Sequence, residues 1–191
     1  MRPSSSRHGF TLVELLVVIA VIGILMAITI PGAGGVMNSL KKTSARADAN
    51  IVKTILADYH AAYNHWPSWK GAKDALSEGG TAETDATWVK IMRCDTEDSE
   101  VTGTYRAHNP RLISFWACDT NKLVDGAFCD PWGNPYQYRI DANGDGTIKA
   151  PNDDDRVSAD IIVWSMGKDL ETDANDRGDD IRTWATKKDS K

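Results

Sequence analysis

Residues 10–30 form the stretch that most constrains how this chain can fold. Between Phe10 and Ile30 the only charged side chain is Glu14. An apolar run of about 20 residues is the length that an α-helix needs to cross the hydrocarbon core of a bilayer. An ionised carboxylate inside a membrane costs at least about 2–3 kcal/mol and tends to mark a functional position. The run therefore predicts a membrane-spanning helix whose one acid needs a partner.

The residues around this acid form a recognisable motif. Gly9-Phe10-Thr11-Leu12-Val13-Glu14-Leu15 resembles the processing motif of type IV pilins and type II secretion pseudopilins. The resemblance implies that a prepilin peptidase cleaves after Gly9 and that the new N-terminal residue, Phe10, is methylated. It also implies that Glu14 serves assembly, and that Pro31 matches a proline that these proteins often carry at this point.

The staggered packing of such filaments predicts a partner for the acid. Glu14 of an incoming subunit would meet the α-amino group of Phe10 on its neighbour, and each charge would offset the desolvation of the other. An ordinary secretory signal and a plain single-span anchor are the alternatives. A secretory signal has an apolar stretch of about 7–15 residues, whereas this run is longer and contains an acid. The pilin-type interpretation is favoured, with residues 1–9 as a cytoplasmic leader.

Length and charge limit the number of domains and the kinds of partner that the rest of the chain can have. Of its 191 residues, 160 follow the span that ends at Pro31, which is enough for one compact domain with its own core. The net charge is −5, and residues 141–180 carry twelve acidic against four basic side chains, a local balance of −8. Such a surface disfavours nucleic acid as a partner and favours cations.

The three cysteines, Cys94, Cys118 and Cys129, lack the C-x-x-C spacing of zinc sites. In an exported chain, one disulfide with one free thiol is expected. Cys118 with Cys129 is the first choice, because this pair would close a short loop. Three reduced core cysteines remain the alternative.

A kink and then an amphipathic helix are predicted after the span. Pro31 and the glycines that follow it remove a helix hydrogen bond and add backbone freedom. Apolar residues then recur at spacings of three and four, the pattern of one helix face; they are Ala45, Ala49, Val52, Leu56, Tyr59 and Tyr63. The predicted segments are a leader (1–9), a transmembrane helix (10–31), an amphipathic helix (32–65) and a periplasmic globular domain (66–191).

The globular domain is predicted to contain a small antiparallel sheet. Its β-favouring runs are residues 112–116, 136–140 and 160–165. Residues 77–110 indicate a loop-rich region, with residues 88–92 as a short helical or extended piece. The segments Asp130-Pro131-Trp132-Gly133-Asn134-Pro135-Tyr136 and Asp179-Asp180-Ile181-Arg182-Thr183-Trp184 resemble the major, G-type pseudopilin. The predicted fold class is therefore α+β and pilin-like, with a long N-terminal helix packed on a small antiparallel sheet.

One segment fits the start of a calcium-binding EF-hand loop. Oxygen ligands would come from Asp141, Asn143 and Asp145, and Gly146 stands at the sixth position, where the loop turns sharply. The twelfth position is Asn152 instead of glutamate. A solvated Asn-Gly/Asp-Gly hairpin is the alternative.

A second calcium segment follows from the resemblance to G-type pseudopilins, which bind one structural calcium after the last strand. The match implies the carbonyl of Met166 and the carboxylate of Asp169 as early ligands. Asp176 or Asp179 would supply the later carboxylate. Acidic side chains this close together repel one another unless a cation or solvent intervenes, so a solvated acidic loop is the alternative.

The sequence predicts a structural protein and not an enzyme. The four histidines show no metal-ligand or nucleophile–base spacing; they are His8, His60, His65 and His108. The resemblance implies a subunit of a homo-oligomeric pseudopilus that drives type II protein secretion, single-pass in the bacterial inner membrane. Its implied partners are a prepilin peptidase, the inner-membrane secretion platform and minor pseudopilins. A type IV pilus subunit for adhesion, motility or DNA uptake, and a monomeric anchored calcium-binding module, are the alternatives.

Overall fold

A computed structural model describes residues 10–29, 33–117, 120–151, 155–172 and 180–184. The chain divides into two compact units, residues 1–40 and residues 41–191. The helices are α1 (Leu12–Thr29), α2 (Ala33–Tyr63), α3 (Ala86–Arg93) and α4 (Ser99–Thr102). The strands are β1 (Ala82–Glu83), β2 (Leu123–Val124), β3 (Ala127–Phe128), β4 (Gln137–Ile140), β5 (Thr147–Lys149), β6 (Arg156–Ser158), β7 (Ile161–Ser165) and β8 (Ile181–Arg182). Short 3₁₀ turns cover Ala72–Leu76, Thr104–Ala107 and Thr120–Lys122.

Helix α1 is apolar along its length. Glu14 is its one charged residue, and the side chains of residues 12–26 are exposed in the single chain. Exposed apolar surface of this extent marks a site of interaction with a membrane or with other chains. The kink predicted at Pro31 lies outside the described residues.

No helix in the described ranges combines the length and the apolar character that crossing a membrane requires.

Helix α2 confirms the predicted apolar stripe. Tyr63 is partly buried against the main core, and the other five residues of the stripe are fully buried, namely Ala45, Ala49, Val52, Leu56 and Tyr59. The helix ends close to the expected point. There Asn64 adopts a left-handed φ of 55° and donates its N–H to the carbonyl of His60 at 2.7 Å, as is common at helix C-termini.

The predicted antiparallel sheet is present, with its strands in the spatial order β1-β4-β7-β8. Strand β4 confirms the prediction for residues 136–140, and β7 confirms that for residues 160–165. Every residue of β7 is buried. Its Val163 packs into the main core with α2 residues such as Leu56, whereas its Trp164 joins a second cluster. A strand that is covered on both faces has a nearly continuous run of apolar residues in its sequence.

The predicted strand at residues 112–116 is wrong, because this segment is irregular. Its backbone finds partners outside any strand ladder. The N–H of Phe115 donates to the carbonyl of Met92 in α3 at 2.9 Å, and the N–H of Ile113 donates to Oδ1 of Asn109 at 3.0 Å. The aromatic side chains of the segment nevertheless pack against the main core, which is why its composition resembles that of a strand.

The loop-rich region of residues 77–110 contains short regular elements. Residues 88–92, predicted as a helical or extended piece, lie in α3. Asp85 caps this helix, because its Oδ1 accepts the N–H of Trp88 at 2.7 Å. Strand β1 pairs with β4, with Ala82 opposite Tyr138. Part of this region therefore forms an edge of the main sheet.

Cys94 and Cys129 are buried free thiols, and Cys118 lies outside the described residues. Cys129 has no disulfide partner among the described residues, but the predicted Cys118–Cys129 disulfide stays a prediction because the position of Cys118 is not described. Burial raises the pKa of both described thiols, and a raised pKa keeps a thiol protonated and unreactive. Both side chains therefore act as small apolar residues of the core.

Candidate functional site

The N-terminal acid lies in a hydrogen-bonded cap at the start of α1. The backbone N–H of Thr11 donates to Oε2 of Glu14 at 2.9 Å, and the Thr11 hydroxyl donates to the same oxygen at 2.8 Å. In return, the N–H of Glu14 donates to Oγ1 of Thr11 at 3.2 Å. This reciprocal arrangement is a capping box, which satisfies backbone amides that the first helical turn leaves unpaired.

The capping box gives Glu14 a partner within its own chain, whereas its sequence context predicted only the amine of a neighbour. Thr11 was not among the predicted functional residues, although the Thr-x-x-Glu spacing is the signal of such a cap. Phe10, the predicted methylated N-terminus, directly precedes the box and is 78% exposed. Gly9 and Pro31 lie outside the described residues.

The first predicted calcium segment is a compact turn between β4 and β5. Asp141 is buried, and its carboxylate accepts the backbone N–H groups of Gly144 at 2.9 Å, Asp145 at 3.3 Å and Gly146 at 2.7 Å. Both glycines have left-handed φ angles, 73° and 75°, which glycine adopts without steric cost. The structure therefore brings Asp141, Asn143 and Asp145 into one turn.

Asp145 already has several partners in this turn. Its Oδ1 accepts the N–H of Thr147 at 2.8 Å and the hydroxyl of Thr147 at 2.7 Å. Its Oδ2 accepts the amide of Asn143 at 3.0 Å and the guanidinium of Arg156 at 3.1 Å. These bonds, with those from Thr147 first, lower the pKa of Asp145 to about 2. Because Arg156 supplies a positive charge here, a cation bound at Asp145 would have to displace it.

The second predicted calcium segment follows β7. Asp169 is exposed, and its Oδ1 accepts the N–H of Glu171 at 3.1 Å. Asp176 and Asp179 lie outside the described residues. The Met166 carbonyl and the Asp169 carboxylate are oxygen donors of the kind that calcium prefers. Within the described parts of the chain, no three His, Cys, Asp or Glu residues are grouped so that they could hold a metal ion.

A buried carboxylate links the turn before β4 to the segment after β7. Asp130 accepts the N–H groups of Trp132 and Asn134 at Oδ1, both at 2.9 Å, and the hydroxyl of Ser165 at Oδ2, at 2.5 Å. Ser165 in turn accepts the N–H of Gly167 at 3.1 Å. The sequence predicted a turn at Asp130, but the connection to Ser165 depends on tertiary structure.

The described histidines make contacts typical of packing. His60 stacks on Trp66 with ring centroids 4.1 Å apart, on the wall of a groove of about 1010 Å³. The hydroxyl of Tyr59 donates to the backbone carbonyl of His108 at 2.7 Å, and burial lowers the pKa of the His108 side chain.

Comparison with known proteins relates the chain to filament subunits. Residues 4–30 match the family model described as the prokaryotic N-terminal methylation motif. The chain is 28% identical to a fimbrial protein of Neisseria meningitidis, over 75% of this chain and 83% of that protein. It is 28% identical to type II secretion system core protein G of Pseudomonas aeruginosa, over 93% and 95% of the two chains. It is 26% identical to the protein of the same name from Aeromonas hydrophila, over 95% and 94%. No solved structure gives a significant match.

The matched motif contains the capping box and all of α1, so the cap described above lies in the segment that carries the methylation signal. The chain is therefore a pilin-like protein with an α+β fold. Within that class it is similar to type II secretion system core protein G along nearly its whole length. These findings confirm the fold class and the resemblance predicted from the sequence.

Proposed function

We propose that the chain is a structural subunit of a pseudopilus that polymerises from the inner membrane and drives type II protein secretion. The observation that carries this proposal is the extent of the alignments. Core protein G of Pseudomonas aeruginosa, Aeromonas hydrophila and Vibrio cholerae matches 93–96% of this chain, and that of Escherichia coli matches 42%. The fimbrial and type IV pilin relatives match 64–80%. The N-terminal motif is common to pilins and pseudopilins, so similarity along the globular domain is what favours the pseudopilin.

Cleavage of the leader creates the amino group that filament assembly uses. Cleavage after Gly9 by a prepilin peptidase releases the α-amino group of Phe10 directly beside the capping box, and methylation leaves that amine positively charged. In the filament, Glu14 pairs with the Phe10 amine of a neighbouring subunit and gives up bonds to Thr11. Two opposite charges that meet in apolar surroundings offset each other's desolvation. The pairing therefore favours the assembled subunit over the isolated one.

Helix α1 supplies the apolar centre of the filament. Glu14 is the only charge in residues 10–31, which supports a single inner-membrane span in the unassembled subunit. The exposed side chains of α1 then pack against α1 of other copies. The globular domain faces the periplasm, and the partners are the prepilin peptidase, the inner-membrane secretion platform and minor pseudopilins. This role needs no catalysis by the chain.

Deletion of the gene in its own bacterium separates this function from the alternatives. We expect exported proteins to disappear from the medium and to accumulate in the periplasm, and the full chain to restore secretion. Unchanged secretion with loss of long surface filaments, seen by electron microscopy, would identify a type IV pilus subunit. A monomeric anchored module would give no ladder of oligomers when cysteines placed in α1 are cross-linked.

We further propose a structural calcium ion in the segment that follows β7. The carbonyl of Met166 and the carboxylate of Asp169 are the early ligands, and Asp176 or Asp179 supplies the later one. This segment is preferred to the turn between β4 and β5, because an arginine already pairs with an acid of that turn. When bound, calcium neutralises and cross-links a loop that is too polar to pack by itself.

Removal of calcium is expected to lower the melting temperature of the full chain. At a calcium concentration of about 100 times Kd, binding stabilises the folded state by about 2.7 kcal/mol, which is roughly 5–10 °C for a domain of this size. EGTA should remove this increment and added calcium should restore it. Magnesium should not replace calcium, because Mg²⁺ demands a tighter octahedral site.

Two substitutions assign the stabilisation to one segment. Asp169→Ala should abolish the calcium-dependent increment, whereas Asp145→Ala should keep it. Equal melting temperatures of the wild-type chain in calcium and in EGTA would contradict a calcium site. If only Asp145→Ala loses the calcium-dependent rise in melting temperature, the calcium site lies in the turn between β4 and β5.

A further inference from the structure

We propose that Asp130 is a positioning residue for the calcium segment after β7. It acts through Ser165 on the peptide that carries the Met166 carbonyl. The inference rests on the calcium site proposed above and assigns a role to residues that lie behind the ligands.

Ser165 fixes the peptide between Met166 and Gly167. The N–H of Gly167 donates to Oγ of Ser165 at 3.1 Å. This N–H and the carbonyl of Met166 belong to one planar trans peptide, in which they point in opposite directions. A bond that holds the N–H toward Ser165 therefore holds the Met166 carbonyl pointing away from it. That carbonyl is the first proposed ligand of calcium.

A second bond holds the next peptide of the segment. The Nδ2 of Asn134 donates to the carbonyl of Gly167 at 2.8 Å, so the peptides on both sides of the Gly167 α-carbon are tied to the protein. Gly167 is buried and has a left-handed φ of 69°, a conformation that favours glycine. The backbone at the start of the segment from Met166 to Asp169 is therefore held in one orientation.

Asp130 organises both bonds. Its Oδ2 accepts the hydroxyl proton of Ser165 at 2.5 Å, which leaves the lone pairs of that hydroxyl for the N–H of Gly167. Its Oδ1 accepts the N–H of Asn134 at 2.9 Å, and its own N–H donates to the Asn134 carbonyl at 2.8 Å. These two bonds fix the backbone from which the Asn134 side chain extends.

Burial strengthens this network. Asp130 is 5% exposed and Ser165 is fully buried, so water competes little for their hydrogen bonds, which are stronger than equivalent bonds at the surface. Groups that orient metal ligands from behind typically change metal affinity by about 10–100-fold when they are removed. The network therefore prepares the Met166 carbonyl for calcium before the ion binds.

The test compares the calcium affinity of two variants of the full chain, purified in detergent, with Ca²⁺ as the probe. Ser165→Ala removes the acceptor of the Gly167 N–H. Thr84→Val is the matched control, because it also removes a buried hydroxyl, one that donates to the Phe128 carbonyl at 2.7 Å. We expect Ser165→Ala to weaken calcium binding about tenfold and Thr84→Val to leave it within about twofold of wild type. Melting in EGTA measures how much each variant loses stability without calcium.

The outcomes distinguish the inference from the site on which it rests. A wild-type chain that does not bind calcium would overturn the calcium site and the inference together. Wild-type calcium binding with unchanged affinity in Ser165→Ala would overturn the inference and leave the calcium site standing. If Ser165→Ala does not fold, Asn134→Ala replaces it, since this change removes the donor to the Gly167 carbonyl. Weaker calcium binding by Asn134→Ala supports the inference, and unchanged binding overturns it.

Discussion

Glu14→Leu is expected to abolish filament assembly while leaving the subunit folded and its leader cleaved. Without the carboxylate, the amine of a neighbouring Phe10 enters apolar surroundings with no opposite charge. Loss of one partner from a buried ion pair costs about 3 kcal/mol or more, which is roughly a 100-fold weaker association at each contact. The ladder of oligomers obtained by cross-linking cysteines in α1 measures the effect, and the globular domain should melt as in the wild type.

Glu14→Gln separates the two roles of this side chain. Glutamine can complete a capping box with Thr11, but it has no charge to pair with an amine. We expect the glutamine variant to assemble nearly as poorly as the leucine variant. Wild-type ladders from Glu14→Gln would show that the residue acts only as a helix cap, and would contradict the ion pair between subunits.

Lys122→Met is expected to lower the free energy of unfolding by about 2 kcal/mol, less than for a fully buried pair, because the Lys122 side chain is 37% exposed. The Nζ of Lys122 lies 2.6 Å from Oδ1 of Asp48, whose side chain is only 3% exposed. Asp48 lies on the buried face of α2, and Tyr136, with its hydroxyl 3.5 Å from Oδ2, is its other close partner across the core. Removing the ammonium group leaves a buried carboxylate without its opposite charge. Denaturant unfolding followed by tryptophan fluorescence measures the loss.

A double substitution and a surface control complete this test. Asp48→Leu combined with Lys122→Met should recover most of the lost stability, because replacing both charges of a buried pair by apolar groups is often neutral or stabilising. Lys41→Met, at an exposed position of α2, should change stability by no more than about 0.5 kcal/mol. A loss in Lys122→Met as small as that control would show that the ion pair contributes little to the domain.

The long and central elements of the fold were predictable from local pattern. The stripe on α2 repeats over several turns, so its periodicity indicates the buried face clearly, and β7 lies in a dense apolar run. Asp48 lies on the same face, yet nothing near it in the sequence shows that Lys122 neutralises it. The segment 112–116 was misassigned because its aromatic residues pack in the core while its backbone bonds to α3 and Asn109.

The candidate site was predictable only where its signal is local. The motif identified Glu14, and the spacing to Thr11 would have identified the cap as well. The acidic turn between β4 and β5 was also visible, but its pairing with Arg156 depends on the hairpin register, in which Arg156 lies opposite Lys149. The hydrogen bond between Ser165 and Asp130 could not be predicted from neighbouring residues either, because it forms only when β4 and β7 pair side by side.

The central claim is that the subunit works only after its leader is removed and the amine of Phe10 is free to meet a neighbour's acid. Intact-mass spectrometry of the protein isolated from the membranes of its own bacterium tests this most directly. We predict a chain that begins at Phe10 and carries a methyl group there. A functional protein that retains residues 1–9, or that begins at another residue, would contradict the claim.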